Sequence, residues 1–437
     1  MQNTGVENRL PLFVILAVIA SAFFWAAPAH MLSGSQVYGH YNLAFDFDPS
    51  RYVNLLTANA EAWSARDAAS EFWIKHPFYL LHRPLVQVLM TVGLSPLWAV
   101  LGLSILLGVL SLLVFDQILR RLELPPTIRA AGVLLFASSA TQIACVVVPD
   151  AYAAALPGIL LAIWMVMSRA ASPGGWPVQR FMLPVYLFGV TATNLVFAAM
   201  AEFAVQMTTQ PLVRAVRNLV IWGVVSAALI AALLVALYPH DMLGAASDPI
   251  QALKSVLWVG TLTPDKTIPP ASLLTMLETM FAFSLSAPVP SVVMIPGATA
   301  ALPQIPMHDF RVFDYSAIGF VALVGWLTLL VLGLVGLLRG LRTQQGVAIA
   351  MALGFMLAFN LAFHVYFQYR GSVFLYAGHF FPPVAVMAAV GIGQLHRLAR
   401  GQTLAIALAI LVLALLNAAN TFAQMDAIRA GIVAGGY

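Results

Sequence analysis

The chain has 437 residues, of which 61% are hydrophobic and only 9% are charged. Soluble domains average about 25% charged residues, so this composition and the mean hydropathy of +0.90 exclude a soluble protein of ordinary size. The formal net charge is only +4, and the basic residues are scattered at the ends of apolar segments. This pattern is typical of membrane topology rather than of nucleic-acid binding. We therefore expect one integral membrane domain over residues 1–437, in contact with membrane lipids and without a nucleic-acid partner.

Apolar segments long enough to span a bilayer recur along the whole chain, beginning with Leu10–Ala29. The region Phe181–Met207 is interrupted by the polar residues Thr191–Asn194. We expect two short helices there, which run out and back and meet near Asn194. The sequence thus predicts an all-α polytopic membrane protein with about 11 membrane segments. The remaining segments cover residues 97–119, 128–148, 152–167, 219–238, 316–338, 346–367, 373–395 and 404–422.

The arginines predict the orientation of these segments, because Lys and Arg accumulate on cytoplasmic loops. The strongest basic cluster is Arg120, Arg121 and Arg129. If the apolar stretch Pro77–Gly93 spanned the membrane, this cluster would lie outside. We therefore expect Pro77–Gly93 to form an interfacial helix on the outer surface, and the N-terminus to be cytoplasmic. The other basic residues that this topology places inside are Arg9, Arg169, Arg180, Arg214, Arg217, Arg339, Arg342, Arg397 and Arg400.

Two long extracytoplasmic loops follow from this topology, residues 31–96 and residues 239–315. The second loop is rich in proline. Its Asp248-Pro249 pair resembles a helix N-cap followed by proline at the first helical position, and Pro270–Leu285 resembles another short helix. Their apolar content indicates packing on the membrane surface.

The first loop holds the most polar segment of the chain, Phe45–Arg83. Asp46 and Asp48 are its candidates for chemistry, because a carboxylate in a wet loop can take a proton from an attacking hydroxyl. The alternative is a pair of solvated acids in a turn before Pro49. Two acids at i and i+2 can also contribute to a divalent-cation site, although two carboxylates do not form a complete one. We therefore assign no metal ligands and leave a divalent cation open as a cofactor.

Basic side chains cluster close to these acids. A lipid phosphate that leaves during a reaction needs such donors to stabilise its developing charge. The alternative is interfacial anchoring, in which each long side chain reaches toward the headgroups. The residues concerned are Arg51, Lys75, His76, His82 and Arg83.

Two further sets of polar residues lie within apolar segments. Asn360 and His364 are four residues apart, and we expect them to pack against a partner helix. Glu202 lies inside a short predicted helix, where an ionisable group is costly and often functional. The alternative is a position at the inner end of that helix, in contact with water.

Several motifs occur in a recognisable order. Asp48-x-x-Arg51-Tyr52 follows the first span, and Lys75-His76-Pro77-Phe78 opens the interfacial helix. A later span ends in Pro149-Asp150. In order and spacing these features resemble the GT-C membrane glycosyltransferases, particularly the protein O-mannosyltransferase and aminoarabinose-transferase branch. The resemblance covers residues 1 to about 220 clearly and the last 70 or so loosely.

The resemblance implies roles for individual residues. In that branch the early loop reads Asp-Glu-x-Arg-Tyr, and its first carboxylate, the catalytic base, corresponds to Asp48. Pro49 replaces the second acid, for which Asp46 could substitute. Late in the chain, the branch's Arg-Tyr-Leu-Leu-Pro resembles the run from His379 to Pro382, with Arg370 as another source of positive charge. The family's Lys at the tip of the broken helix pair is absent here.

The resemblance also implies a function. A hexosyl or pentosyl group would move, with inversion, from a polyprenyl-phosphate donor to a hydroxyl of a lipid, glycan or protein acceptor. The expected location is a bacterial inner membrane, with the active site on the periplasmic side. The donor phosphate would be bound by some of Arg51, Lys75, His76, Arg83, Arg370 and His379.

Two other functions remain open. A flippase or transporter of lipid-linked glycans would normally show internal repeats or ionisable groups at mid-membrane. A glycan polymerase or ligase of another membrane family would depend on arginines of a late outer loop, here Arg311 and Arg370.

Overall fold

The computed structural model describes residues 11–39, 47, 49–58, 76–77, 79–171, 177–237, 273–294, 301–304, 314–366, 373–399 and 401–436. The predicted site residues Asp46, Asp48, Lys75 and Arg370 lie outside these ranges, and so does the helix predicted after Asp248. Nearly all of the described chain is helical, as the composition predicts.

The N-terminal part contains one long helix and two short ones. These are α1 (Leu12–Ser33), α2 (Pro49–Thr57) and α3 (Arg83–Thr91), with a 3-10 turn at Gln36–Gly39 and another at Tyr79–His82. Helix α3 rises only about 14 Å at 1.5 Å per residue, which is half of the hydrocarbon thickness of a bilayer. It is therefore too short to span. Its placement at the membrane interface stays a prediction.

Four helices follow, and serine side chains cap the N-termini of two of them. The four helices are α4 (Pro96–Arg121), α5 (Pro126–Ala137), α6 (Ala140–Val147) and α7 (Tyr152–Ala171). Ser95 caps α4 by accepting a hydrogen bond from the Trp98 backbone N–H at 3.4 Å. Ser139 accepts from the Gln142 N–H at 3.2 Å and donates to the Phe136 carbonyl at 2.9 Å. The Ser139 hydroxyl thus bonds the backbone of both helices in place of the regular helical hydrogen bonds. At this point α5 and α6 meet at a bend of 62°.

The region 177–237 forms three helices, α8 (Pro177–Val190), α9 (Leu195–Thr209) and α10 (Leu212–Leu237). A 3-10 turn at Ala192–Asn194 separates the first two. The prediction of two short helices that meet near Asn194 is confirmed.

The described part of the second loop contains a short helix, α11 (Leu273–Glu278), which continues as a π-helical turn over Thr279–Phe283. An antiparallel pair of strands follows, β1 (Ser291–Met294) and β2 (Ala301–Gln304), with Ser291 opposite Gln304. These strands differ from the wholly helical structure that the sequence predicts. The β-branched Val292 and Val293 favour an extended backbone over a helix.

The C-terminal part consists of four long helices, α12 (Ala317–Gly340), α13 (Gln344–Tyr366), α14 (Ala377–Leu398) and α15 (Thr403–Ala434). A 3-10 turn at Val373–Tyr376 precedes α14. Among the described residues, 8 helices are long and apolar enough to cross a membrane, or 9 spans if the bent pair α5 and α6 counts as one. These 8 are α1, α4, α7, α10, α12, α13, α14 and α15. The chain is thus compatible with an integral membrane protein, whereas the count of about 11 stays a prediction, because it also needs the short helices α8 and α9 to enter the bilayer.

The bundle has two chemically different ends. At one end, which we call the arginine end, the Gln345 side chain of α13 donates to the Met167 carbonyl of α7 at 3.2 Å. The Arg339 guanidinium of α12 donates to Gln394 of α14 at 3.3 Å. Since α7, α13 and α14 are each long enough to cross the bundle, their other termini meet at the opposite end. We call that the histidine end, because His364 and His379 lie there.

Two buried ion-pair clusters lie at the arginine end. Arg129 donates to both carboxylate oxygens of Asp116, at 2.8 and 2.5 Å, and Asp116 is fully buried. Glu202 is also buried and pairs with Arg169 and Arg180. The alternative in which Glu202 lies in water is therefore wrong. Three of the arginines used to predict the topology, Arg129, Arg169 and Arg180, therefore form ion pairs with carboxylates on other helices.

Helices α12 and α14 pack with almost no space between their backbones. A methyl group at Gly391 of α14 would overlap the Leu329 carbonyl oxygen of α12, and one at Gly333 of α12 would overlap the Met387 carbonyl oxygen of α14. Small residues allow membrane helices to approach this closely. Helices α7 and α14 are the central ones, with 89% of their apolar windows buried, whereas the window of α10 is only 17% buried. Helix α10 therefore lies at the periphery of the bundle.

This contact gives a testable prediction with a matched control two residues away. We expect Gly391→Ala to lower the free energy of unfolding by about 1–3 kcal/mol, the usual cost of overpacking. At Gly393 of the same helix a methyl group would meet nothing within 4 Å, so Gly393→Ala should be neutral or slightly stabilising. Thermal unfolding of the purified variants in detergent measures both. Equal melting temperatures for the two variants would contradict the close approach of α12 and α14.

Candidate functional site

Aromatic and imidazole side chains from four separate parts of the chain meet at the histidine end. They come from the first loop, the start of α7, the end of α13 and the start of α14. We call the group the histidine cluster; it consists of Tyr52, His76, Tyr152, His364, Tyr376 and His379.

His76 joins the first loop to the tip of the broken helix pair. Its Nδ1 lies 2.7 Å from the Val190 carbonyl oxygen and 3.2 Å from Thr191 Oγ1. A carbonyl can only accept, so Nδ1 carries a proton. In a neutral ring Nε2 is then an acceptor, and the Tyr52 hydroxyl at 3.1 Å donates to it. The ring of Tyr52 also meets that of His76 edge-on, with centroids 5.8 Å apart.

Tyr152 connects the first loop to α14. Its ring lies 5.8 Å from that of Phe47 and 5.0 Å from that of His379, measured between centroids. Phe47 is 1% exposed, and it is the residue between the two predicted acids. Gly378 permits this arrangement, since a methyl group there would lie 2.8 Å from the Tyr152 Cβ. The first loop is thus anchored directly against the start of α7.

His364 and His379 stack on each other within the histidine cluster. Their rings are nearly parallel, 17° apart in plane and 5.9 Å between centroids. Tyr376 stacks on His364 at 4.4 Å, and Phe197 of α9 contacts His379 at 6.0 Å. His76 is hydrogen-bonded to Thr191 just before α9, the helix whose Phe197 contacts His379. The two histidines of the sequence prediction, His76 and His379, therefore belong to one site.

Several buried polar atoms of this region have no protein partner within the described structure. They are Nδ1 of His364, Nε2 of His379, Oδ1 of Asn360 and both amide atoms of Asn194. His364 is 1% exposed, and Asn194 and Asn360 are fully buried. Buried polar groups are nearly always hydrogen-bonded, so each such atom calls for a reason. Unpaired donors and acceptors at the histidine end could bind a polar ligand that carries hydroxyls or a phosphate.

The other predicted phosphate-binding residues that the structure describes lie on the helices of the first loop. Arg83 at the start of α3 donates to the Ala58 carbonyl just after α2, which holds the two helices together. Arg51 lies half-buried in the first turn of α2. The roles of Arg51 and Arg83 in binding phosphate stay predictions, as do those of Lys75 and Arg370.

Three members of the histidine cluster (His364, Tyr152 and Tyr376) and the nearby Asn360 are not predicted as site residues from the sequence. His364 and Asn360 were interpreted as packing residues, and their stacking and hydrogen-bond positions depend on how α13 meets α14. Tyr152 and Tyr376 look like ordinary aromatic residues at helix starts. One signal does exist for Tyr152, because it lies two residues after Asp150 of the Pro149-Asp150 motif.

Acidic groups at this end are few among the described residues. Asp150 is buried and accepts a hydrogen bond from the Ala151 backbone N–H at 2.6 Å. This contact lies just before α7 and is consistent with a structural role at its start. Within the described ranges, no three His, Cys, Asp or Glu side chains are grouped so that they could hold a metal ion. A cation site that uses Asp46 and Asp48 would involve residues outside these ranges.

In comparisons with known proteins, no family model matches this chain and no curated protein matches it.

Proposed function

We propose that the chain is a membrane glycosyltransferase that resembles the GT-C class and uses a polyprenyl-phosphate-linked sugar as donor. Its acceptor is a hydroxyl of a lipid, glycan or protein. The active site is the histidine end, which faces the periplasm of a bacterial inner membrane when the arginine end is cytoplasmic.

One observation carries this proposal. The motifs on which the resemblance rests are far apart in sequence, yet parts of each meet in the histidine cluster. Tyr52 and His76 represent the two first-loop motifs, Tyr152 follows Pro149-Asp150, and His379 opens the late motif. A chance similarity of scattered short motifs gives no reason for them to share one site.

The reaction is a single displacement. Asp48 takes the proton of the acceptor hydroxyl, and the acceptor oxygen attacks the anomeric carbon of the donor. The bond from that carbon to the phosphate oxygen breaks, and polyprenyl phosphate leaves with the electron pair. Because attack and departure occur on opposite faces, the anomeric configuration inverts.

The histidine cluster supplies hydrogen-bonding groups and aromatic rings for binding the leaving phosphate and the sugar. The Nε2 of His379 and the Nδ1 of His364 have no partner among the described residues and would bond oxygen atoms of the donor. The rings of Tyr152 and Tyr376 form an aromatic wall beside them. Arg51, Lys75, Arg83 and Arg370 are the candidates for neutralising phosphate charge.

The experiment that tests the proposal follows cleavage of the donor. The purified protein is reconstituted in vesicles with radiolabelled polyprenyl-phosphate hexose or pentose, and membrane lipid and glycan extracts serve as acceptors. We expect release of polyprenyl phosphate and transfer of the label, both dependent on the protein. Movement of intact donor between leaflets, with the sugar–phosphate bond unbroken, would overturn the proposal in favour of a flippase.

Tyr52→Phe tests the part of the histidine cluster contributed by the first loop. The change removes the hydroxyl that donates to His76 and keeps the ring, so we expect transfer to fall about 3- to 10-fold, as for the loss of one hydrogen bond. Steady-state transfer rates at equal protein concentration measure this.

Tyr38→Phe is the matched control for Tyr52→Phe. The Tyr38 hydroxyl donates to the Val147 carbonyl at 2.9 Å, outside the histidine cluster. Burial raises the pKa of Tyr38, so its phenol stays protonated. We expect Tyr38→Phe to leave the transfer rate unchanged. Equal rate losses in both variants would show that Tyr52 has no special role.

A further inference from the structure

The Glu202 cluster is a second buried group of charged and polar side chains, and it shares no residue with the histidine cluster. Glu202 pairs with Arg169, and its Oε1 lies 2.6 Å from a guanidinium nitrogen of Arg180. The same oxygen accepts from Gln206 at 2.8 Å, and Asn218 donates to Gln206 at 3.0 Å. Three helices and the start of α10 thus meet around one carboxylate.

The charges in this cluster do not balance. Two guanidinium groups face a single carboxylate, which leaves one positive charge in excess. Among the described residues, neither Arg169 nor Arg180 forms an ion pair with any other acid. Arg169 and Glu202 are both buried, and an uncompensated charge in such a place is costly. By contrast, the neighbouring pair of Asp116 and Arg129 is neutral.

Part of the Arg180 guanidinium group remains available. One terminal nitrogen contacts Glu202 and donates to the Asn218 carbonyl at 3.2 Å. Its Nε is buried and has no partner in the described structure. The Arg180 side chain as a whole is 20% exposed. A group outside the bundle can therefore reach the exposed part of the Arg180 side chain, while the buried Nε is a donor with no partner among the described residues.

The cleft beside Arg180 is lined mostly by apolar side chains. A narrow cleft between α7, α8, α9 and α10 opens beside it, and α10 is the helix at the periphery of the bundle. The Trp222 indole N–H donates to the Arg180 carbonyl at 3.0 Å and fixes one wall. Apolar side chains that line the cleft are Met165, Val166, Leu183, Pro184, Val205 and Trp222.

We infer that this cleft binds the phosphate of an anionic membrane lipid in the leaflet at the arginine end. A phosphodiester carries one negative charge, which matches the excess positive charge of the cluster. Arginine binds phosphate oxygens through several N–H groups at once. The acyl chains of the lipid lie along the apolar wall beside α10. The site is separate from the proposed transfer reaction, and its test needs no activity.

The test measures binding of phosphatidylglycerol to the purified protein by native mass spectrometry in a neutral detergent. Phosphatidylcholine and inorganic phosphate are the comparison ligands. We expect phosphatidylglycerol to bind at least tenfold more tightly than phosphatidylcholine. Arg180→Gln should weaken this binding about tenfold, as expected for loss of a charge-assisted contact, while Arg180→Lys should retain most of it.

Arg342→Gln is the matched control, since Arg342 is an exposed arginine between α12 and α13 that does not line the cleft. It should bind phosphatidylglycerol like the wild type. The Arg180→Gln variant keeps the neutral pair of Arg169 and Glu202 and should fold, which its melting temperature verifies. Equal binding of phosphatidylglycerol and phosphatidylcholine, or by wild type and Arg180→Gln, would overturn the inference. Displacement of the lipid by equimolar inorganic phosphate would show that free phosphate is the ligand and would overturn it as well.

Discussion

Replacing Asp48 by asparagine should reduce sugar transfer by about 100- to 10,000-fold, the usual contribution of a positioned general base. Asparagine keeps the size and the polarity of the side chain but cannot take the proton of the acceptor hydroxyl. Donor binding should persist, because the phosphate contacts assigned to the histidine cluster and the neighbouring arginines are unchanged. The measurement is the transfer rate, beside the affinity for the polyprenyl-phosphate donor.

Asp46→Asn is the matched control, two residues away in the same loop. If Asp48 is the base, Asp46→Asn should lower the rate far less. A normal rate with Asp48→Asn and a large loss with Asp46→Asn would move the role of base to Asp46. Normal rates for both variants, together with loss of transfer in Arg311→Gln, would instead favour a polymerase or ligase that depends on late-loop arginines.

Replacing Asp116 by asparagine should lower the free energy of unfolding by about 3–5 kcal/mol. It removes the carboxylate that pairs with Arg129 among the described residues, and it leaves a buried charge uncompensated. Asp116 is fully buried and accepts two hydrogen bonds from that guanidinium group. Thermal or denaturant unfolding in detergent measures the loss.

The double variant Asp116→Leu with Arg129→Met measures what the ion pair contributes to stability. It does so without leaving one of the two charges buried and unpaired, as the single variant does. Buried ion pairs can often be exchanged for apolar side chains of similar volume with little loss of stability. We therefore expect the double variant to unfold at or near the wild-type temperature. A double variant as unstable as Asp116→Asn would show that the pair itself stabilises the bundle.

The sequence was sufficient to predict most of the helices. Long apolar runs reveal spans through their length alone, and Thr191–Asn194 marks the break between α8 and α9 because its polar residues interrupt such a run. The partners of buried charges could not be predicted in the same way. Asp116 and Arg129 lie 13 residues apart on different helices, and which side chains face each other depends on the rotation of each helix about its axis.

Only part of the candidate site can be predicted from the sequence, because its other members depend on how the helices pack. His76 and His379 could be selected because they lie within motifs whose order is recognisable. The other partners of His379, among them His364 and Tyr152, come from the termini of α13 and α7. The apolar runs of the sequence show where these helices end. They do not show which helix termini lie next to each other in the bundle. The sequence predicts Asn194 as the tip of a broken helix pair, but it does not predict that both amide atoms are buried without a partner among the described residues.

The central claim is that the histidine end binds the donor, and photo-crosslinking tests it most directly. A polyprenyl-phosphate sugar with a photoreactive group on the sugar is bound to the protein and irradiated, and labelled peptides are identified by mass spectrometry. We predict labelling of peptides that contain His76, Tyr152 or His379, and competition by unmodified donor. Competed labelling confined to peptides of the arginine end, such as those around Glu202, would contradict the account.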